Sequence, residues 1–122
     1  MSDTQFKYYV ILFAEVIVPD FYDNQVLQKP FLENFSKIIE NLEYQADSKI
    51  KLLVKLIAAL SFIFNFKAFN KLNYKRRKTY IDKLFNLPIN KIVAGLTGLR
   101  SLILISYYGL DQIRLSINYK QL

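Results

Sequence analysis

The 122-residue chain has no cysteine, no histidine and no tryptophan, and only three glycines and three prolines. Without cysteine there is no disulfide scaffold, no thiolate zinc site, no iron–sulfur cluster and no thiol nucleophile in this chain. Without histidine it loses the commonest general base, the commonest metal ligand and the proximal haem ligand. So little glycine and proline excludes a flexible linker protein or a collagen-like chain. No glycine-rich phosphate loop is present, because Gly95 and Gly98 lack its spacing and its lysine. The acid pairs Asp20/Asp23 and Glu40/Glu43 stand beside no nucleophile. These absences point away from an enzyme, and no catalytic, cofactor-binding or metal-ligating residue is assigned.

What is present is apolar, aromatic and basic. Hydrophobic residues make up 52%, ten Phe and nine Tyr are included, and the formal net charge is +7. That much hydrophobicity excludes a disordered chain. The charge is lopsided: residues 1–66 carry six lysines against eight acids, whereas residues 67–122 carry eleven Lys and Arg against two acids. The basic character therefore belongs to the second half, where it can meet nucleic acid, an anionic membrane surface or an acidic protein.

The apolar pattern is helical. A first helix is expected from about Thr4 to Val18, stopped by Pro19, with a turn through Asp20–Asn24. Phe31, Phe35, Ile38, Ile39 and Leu42 place a second helix between Gln25 or Pro30 and Tyr44. Asp47 or Ser48 can cap a third that runs to about Phe66. Asn73 can cap a fourth, Tyr74 to Phe85. Pro88 suits the first turn of a fifth, which carries Ile92, Val93, Leu96, Leu99 and Ile103 on one stripe and stops at Gly109 in the left-handed region. Strand signals are poor. The expectation is a single all-α domain, residues 1–122, with about five helices.

The apolar stretch Tyr8–Val18 contains Glu15 and is preceded by Asp3, unlike a signal peptide; no twin-arginine pair stands near the start. Residues 50–66 are interrupted by Lys51, Lys55, Ser61 and Asn65 and fall short of a membrane span, although Leu56–Phe64 is apolar all round. A cytoplasmic, at most membrane-peripheral, protein is expected.

Two stretches carry a resemblance. The first is Phe13-Ala14-Glu15-Val16-Ile17-Val18-Pro19-Asp20. The second runs Phe69-x-x-Leu72-Asn73-x-x-x-Arg77-x-x-Tyr80-Ile81-x-x-Leu84, then Leu87-Pro88, Gly98-Leu99-Arg100-Ser101-Leu102 and Ser106-Tyr107-Tyr108-Gly109. Together they resemble the small helical subunit of membrane-type gluconate 2-dehydrogenases (the subunit 3 family). They also resemble the related segment fused before some glucose–methanol–choline (GMC) oxidoreductases. The tail, Asn118-Tyr119-Lys120-Gln121-Leu122, matches that family at the tyrosine but lacks its Gly-Pro. The resemblance implies a non-catalytic accessory subunit or assembly factor that binds and stabilises a large FAD-dependent oxidoreductase, with FAD on the partner. Arg77, Tyr80, Arg100, Tyr107, Tyr108 and Tyr119 would then form much of the docking surface.

Other candidates come from the residues themselves. Glu15, inside an apolar helix, is a surface residue or an anchor for a cation such as Arg100. Lys67, Lys71, Lys75 and Lys78 form one basic stripe if a helix runs through them, either as a solvated face or as a site for phosphates or lipid headgroups. Phe64, Phe66, Phe69, Tyr74 and Tyr80 are interleaved nearby, as base-stacking proteins require. The alternative function is thus a basic module that binds nucleic acid or an anionic membrane through residues 67–83; self-association is a third. Tyr107 and Tyr108 are adjacent, so one is expected inside and one outside. Gly95 and Gly98, costly inside a helix, suggest close helix approach or the entry of a partner.

Overall fold

The structure is a computed structural model and describes residues 2–42, 45–110 and 113. Among these the chain is all-α, with five long helices. These are α1 (Asp3–Ile17), α3 (Gln28–Glu40), α4 (Ala46–Asn65), α5 (Tyr74–Phe85) and α6 (Asn90–Tyr108); α2 (Pro19–Tyr22) is a single turn. Short 3-10 turns cover Gln25–Leu27 and Phe69–Lys71.

α1 is the axis of the fold. Its residues Val10 through Val16 are all buried, and it packs against α3, α4, α5 and α6. A helix apolar on every side must be surrounded, which is why this short segment sits at the centre. Its start is a capping box: the Ser2 hydroxyl accepts from the Gln5 N–H at 3.2 Å and the Gln5 side chain accepts from the Ser2 N–H at 3.2 Å. The core continues through Phe21, Phe31 and Phe35, whose rings follow one another at 4.9 and 5.9 Å, and through Ile81, Leu84, Leu96, Leu99 and Ile103.

Several local expectations are corrected. Pro19 does stop α1 but also opens α2, because its fixed φ and missing N–H suit a first helical turn. α4 is not capped by Asp47 or Ser48; it starts at Ala46 after Gln45, which is left-handed at φ 76°, and Asp47 instead pairs with Lys51 at 3.2 Å. Asn73 does cap α5, accepting from the Arg76 N–H at 2.8 Å. Pro88 lies before α6 rather than in its first turn, since extended Ile89 intervenes as the cap. Gly109 is right-handed at φ −79°; glycine is needed there for room, because a Cβ would stand 2.7 Å from the Ile105 carbonyl oxygen and 3.3 Å from Asn34 Nδ2. The second long helix ends at Glu40; Glu43 and Tyr44 lie outside the described residues.

The two helical glycines separate. A Cβ on Gly95 would meet Leu53 Cδ1 at 3.2 Å, so Gly95 lets α6 approach α4. A Cβ on Gly98 would meet nothing within 4 Å among the described residues.

Candidate functional site

The residues singled out in the sequence divide into a buried set that holds the fold and an exposed set free to bind. Glu15 and Arg77 belong to the first. Both are buried, and Arg77 Nη1 lies 3.4 Å from Glu15 Oε2 and donates to the Leu12 carbonyl at 3.3 Å. The anchor expected at Glu15 therefore exists, but its cation is Arg77 on α5, not Arg100. Burial pushes the Glu15 carboxyl above its ordinary range, and the Arg77 charge partly offsets that rise. Arg77 Nε is buried with no partner among the described residues.

Tyr80 and Tyr107 are also internal, so the docking positions expected for Arg77, Tyr80 and Tyr107 are corrected. The Tyr80 hydroxyl donates to the Ile57 carbonyl and joins α5 to α4; its phenol is pushed up by burial. Tyr107 packs edge-on against Phe21 at 5.7 Å, and its hydroxyl is likewise pushed up, first by burial and then by the charge of Asp20. Tyr108, next in sequence, is 47% exposed, which decides which of the pair faces out. Arg100 is exposed beside an open cleft lined by Lys78, Asp82 and Asn86. Tyr119 lies outside the described residues.

The lysine stripe does not form as one helical face. Helix α4 stops at Asn65, so Lys67 follows it, Lys71 lies in a 3-10 turn, and only Lys75 and Lys78 share α5; all four are exposed. Of the interleaved aromatics, Phe69 and Tyr80 are core residues, and Tyr74 packs at a tilt against Tyr22, ring centroids 4.8 Å apart. Bases therefore have no ladder of rings to stack on. Phe64 and Phe66 remain outside.

Two exposed faces emerge that the periodicity alone did not separate from core. On α6, Ala94, Thr97, Gly98, Ser101, Ile105 and Tyr108 form one outward strip without a charge, edged by Lys91 at its start and by Arg100 along its side. Ile105 is 58% exposed. On α4, Leu52, Lys55, Leu56, Ala59, Phe62 and Ile63 point outward together, and Phe66 ends the helix. Phe66 is left-handed at φ 56°. Fully buried Ser61 holds this end, donating to the Lys67 carbonyl at 2.8 Å and accepting from Asn65 Nδ2 at 3.4 Å. Sequence reasoning treated Ser61 only as a polar interruption; its position one turn before the end of an apolar helix was the available signal.

Among the described residues no three acidic side chains converge to hold a metal, and no helix is long and apolar enough to cross a membrane. Fold and exposed faces together define a small all-α domain. The chain matches no protein-family model, and comparison with curated proteins and with solved structures likewise finds no match.

Proposed function

We propose that this chain is a non-catalytic helical accessory protein that docks onto a larger protein through the outer face of α6. The observation that carries this reading is the absence of charge along Ala94, Thr97, Gly98, Ser101, Ile105 and Tyr108, all of them exposed. An exposed helix face is ordinarily charged, and a stripe of small residues lets a second backbone approach closely. The open space over Gly98 supports the same reading: its helix-weakening lack of a side chain serves no contact among the described residues. Tyr108 at one end supplies the ring-plus-hydroxyl chemistry that anchors interfaces.

The partner class is a large FAD-dependent oxidoreductase of GMC type, with the flavin and the catalytic groups on that partner. This part rests on the motif resemblance, four of whose exposed members, Gly98, Arg100, Ser101 and Tyr108, lie on α6.

Co-purification tests both parts. A tagged chain is expected to recover a partner from its native host in near-equal amount, and Ile105→Asp, which charges the strip without touching the core, is expected to lose it. Recovery unaffected by Ile105→Asp sinks the α6 assignment. Recovery of a partner without flavin absorbance sinks the oxidoreductase assignment and leaves the docking face standing.

A further inference from the structure

The outer face of α4 is a second surface, of different chemistry. Leu52, Lys55, Leu56, Ala59, Phe62 and Ile63 fall within about 120° of arc on a 3.6-residue period. Leu52 is 68% exposed, Phe62 59%, Ile63 67% and Phe66 89%. With Leu56 these side chains present on the order of 600 Å² of apolar surface, at the upper limit for a soluble monomer. At the last turn Phe66 holds a left-handed conformation, flanked by the buried Ser61 bond to the Lys67 carbonyl and the Phe66 N–H bond to the Phe62 carbonyl.

Cations surround this face. Lys55 lies within it and Lys67 follows Phe66 directly. Phe64 and Phe66 share an open cleft of about 550 Å³ with Lys75 and Arg76, and no acid lines it. Among the described residues no acidic side chain pairs with Lys55, Lys67, Lys71, Lys75 or Arg76. The acids at the opposite end of α4, Asp47 and nearby Asp3, are neutralised by Lys51 and Lys7 at 3.2 and 3.3 Å.

We infer that α4 and the basic residues beyond it form a docking surface for an anionic lipid bilayer. Leu52, Leu56, Phe62, Ile63 and Phe66 would enter the headgroup–acyl boundary, and Lys55, Lys67, Lys71, Lys75 and Arg76 would meet lipid phosphates. An apolar helix face rimmed by lysines is the chemistry that lies in a membrane interface, with the lysine stems flattened along it and the ammonium groups in the headgroups. Charge complementarity selects the occupant. A second copy would bring two chains of net charge +7 together around Lys55, where like charges repel. Single-stranded nucleic acid would need stacked rings, and of these Phe69 and Tyr80 are buried while Leu52, Leu56 and Ile63 have no stacking use. The inference does not depend on the α6 face.

Vesicle co-sedimentation of the full chain tests it, with phosphatidylcholine alone and with about one-third phosphatidylserine added, the composition that gives a negative surface potential. Binding is expected only to the anionic vesicles and is expected to weaken with salt. The double variant Ile63→Ser/Phe66→Ser, both sites exposed, is expected to melt as the parent does and to bind about tenfold more weakly or worse, given the transfer free energy of the two side chains. Ile105→Asp is expected to bind vesicles normally. No binding to anionic vesicles at low salt overturns the inference. So does binding that survives Ile63→Ser/Phe66→Ser but is lost in Lys75→Glu/Arg76→Glu: that surface is purely electrostatic, and binding of a labelled oligonucleotide would then assign it to nucleic acid. A stable dimer that Ile63→Ser/Phe66→Ser dissociates also overturns it, by giving the α4 face to a second copy.

Discussion

Arg77→Met tests the buried pair that fastens α5 to the central helix. The substitution keeps most of the side-chain volume and removes the cation, leaving the Glu15 carboxylate in the core between Leu12 and α5. Breaking one side of a buried ion pair costs ~3–5 kcal/mol. The lower end is expected here, about 3 kcal/mol, because 3.4 Å is long against the 2.7–2.9 Å of a strong charge-assisted bond. In thermal unfolding that is a drop of about 10 °C for a domain of this size. The pH dependence has a definite sign. Burial already raises the Glu15 pKa above 4.5, and Arg77 is what holds it down. An acid whose folded-state pKa is raised favours the folded chain most when protonated, below 4.5; that contribution is lost as pH rises through the folded-state value. In Arg77→Met the folded-state value climbs further, so the deficit is largest at neutral pH and shrinks on acidification. Glu15→Leu/Arg77→Met, which removes both charges, is expected to recover most of the loss. Urea titrations of the four proteins of the cycle at neutral and acid pH measure all of this. A loss under about 1 kcal/mol that does not vary with pH, or a double variant no better than Arg77→Met alone, would refute the reasoning.

Two further outcomes rest on single backbone positions. Gly98→Ala is expected to stabilise the chain by about 0.5–1 kcal/mol, since helix propensity improves and nothing is met, whereas Gly95→Ala is expected to gain less or lose, because Leu53 must move from 3.2 Å; paired melting curves decide. Phe66→Gly is expected to hold or raise stability by up to about 1 kcal/mol, because it relieves a left-handed residue at a helix end and removes a ring that is 89% exposed. Vesicle binding is expected to fall in the same variant, and a marked loss of stability would instead mark Phe66 as a residue of the fold.

Much of the fold was legible because helices need only local information. The 3.6-residue spacing of Phe31, Phe35 and Ile39, or of Leu96, Leu99 and Ile103, marks which side is buried without reference to the rest of the chain. Asn73 and Pro19 act within one turn of themselves: Asn73 starts α5 and Pro19 stops α1 where the residues suggested. Polar side chains are different. Arg77 and Arg100 look equally suited to reach Glu15 in the sequence, yet one is buried against it across 62 positions and the other is exposed.

The candidate surfaces show the same division. By itself the sequence determined an all-α chain with no His or Cys chemistry and a basic second half, since these follow from composition and periodicity. Only the packing decided that Tyr108 rather than Tyr107 faces out, that Gly98 is open among the described residues while Gly95 is filled, and that the lysines from Lys67 to Lys78 are split between the end of α4, a 3-10 turn and α5 rather than set along one helix. The physical reason is that the second half of α4, Leu56–Phe64, is apolar nearly all round. Periodicity cannot tell a helix surrounded by its own chain from one with a side left uncovered; that depends on how many other helices there are to cover it. Here α1 took the centre, and the outer side of α4 was left to water or to a partner.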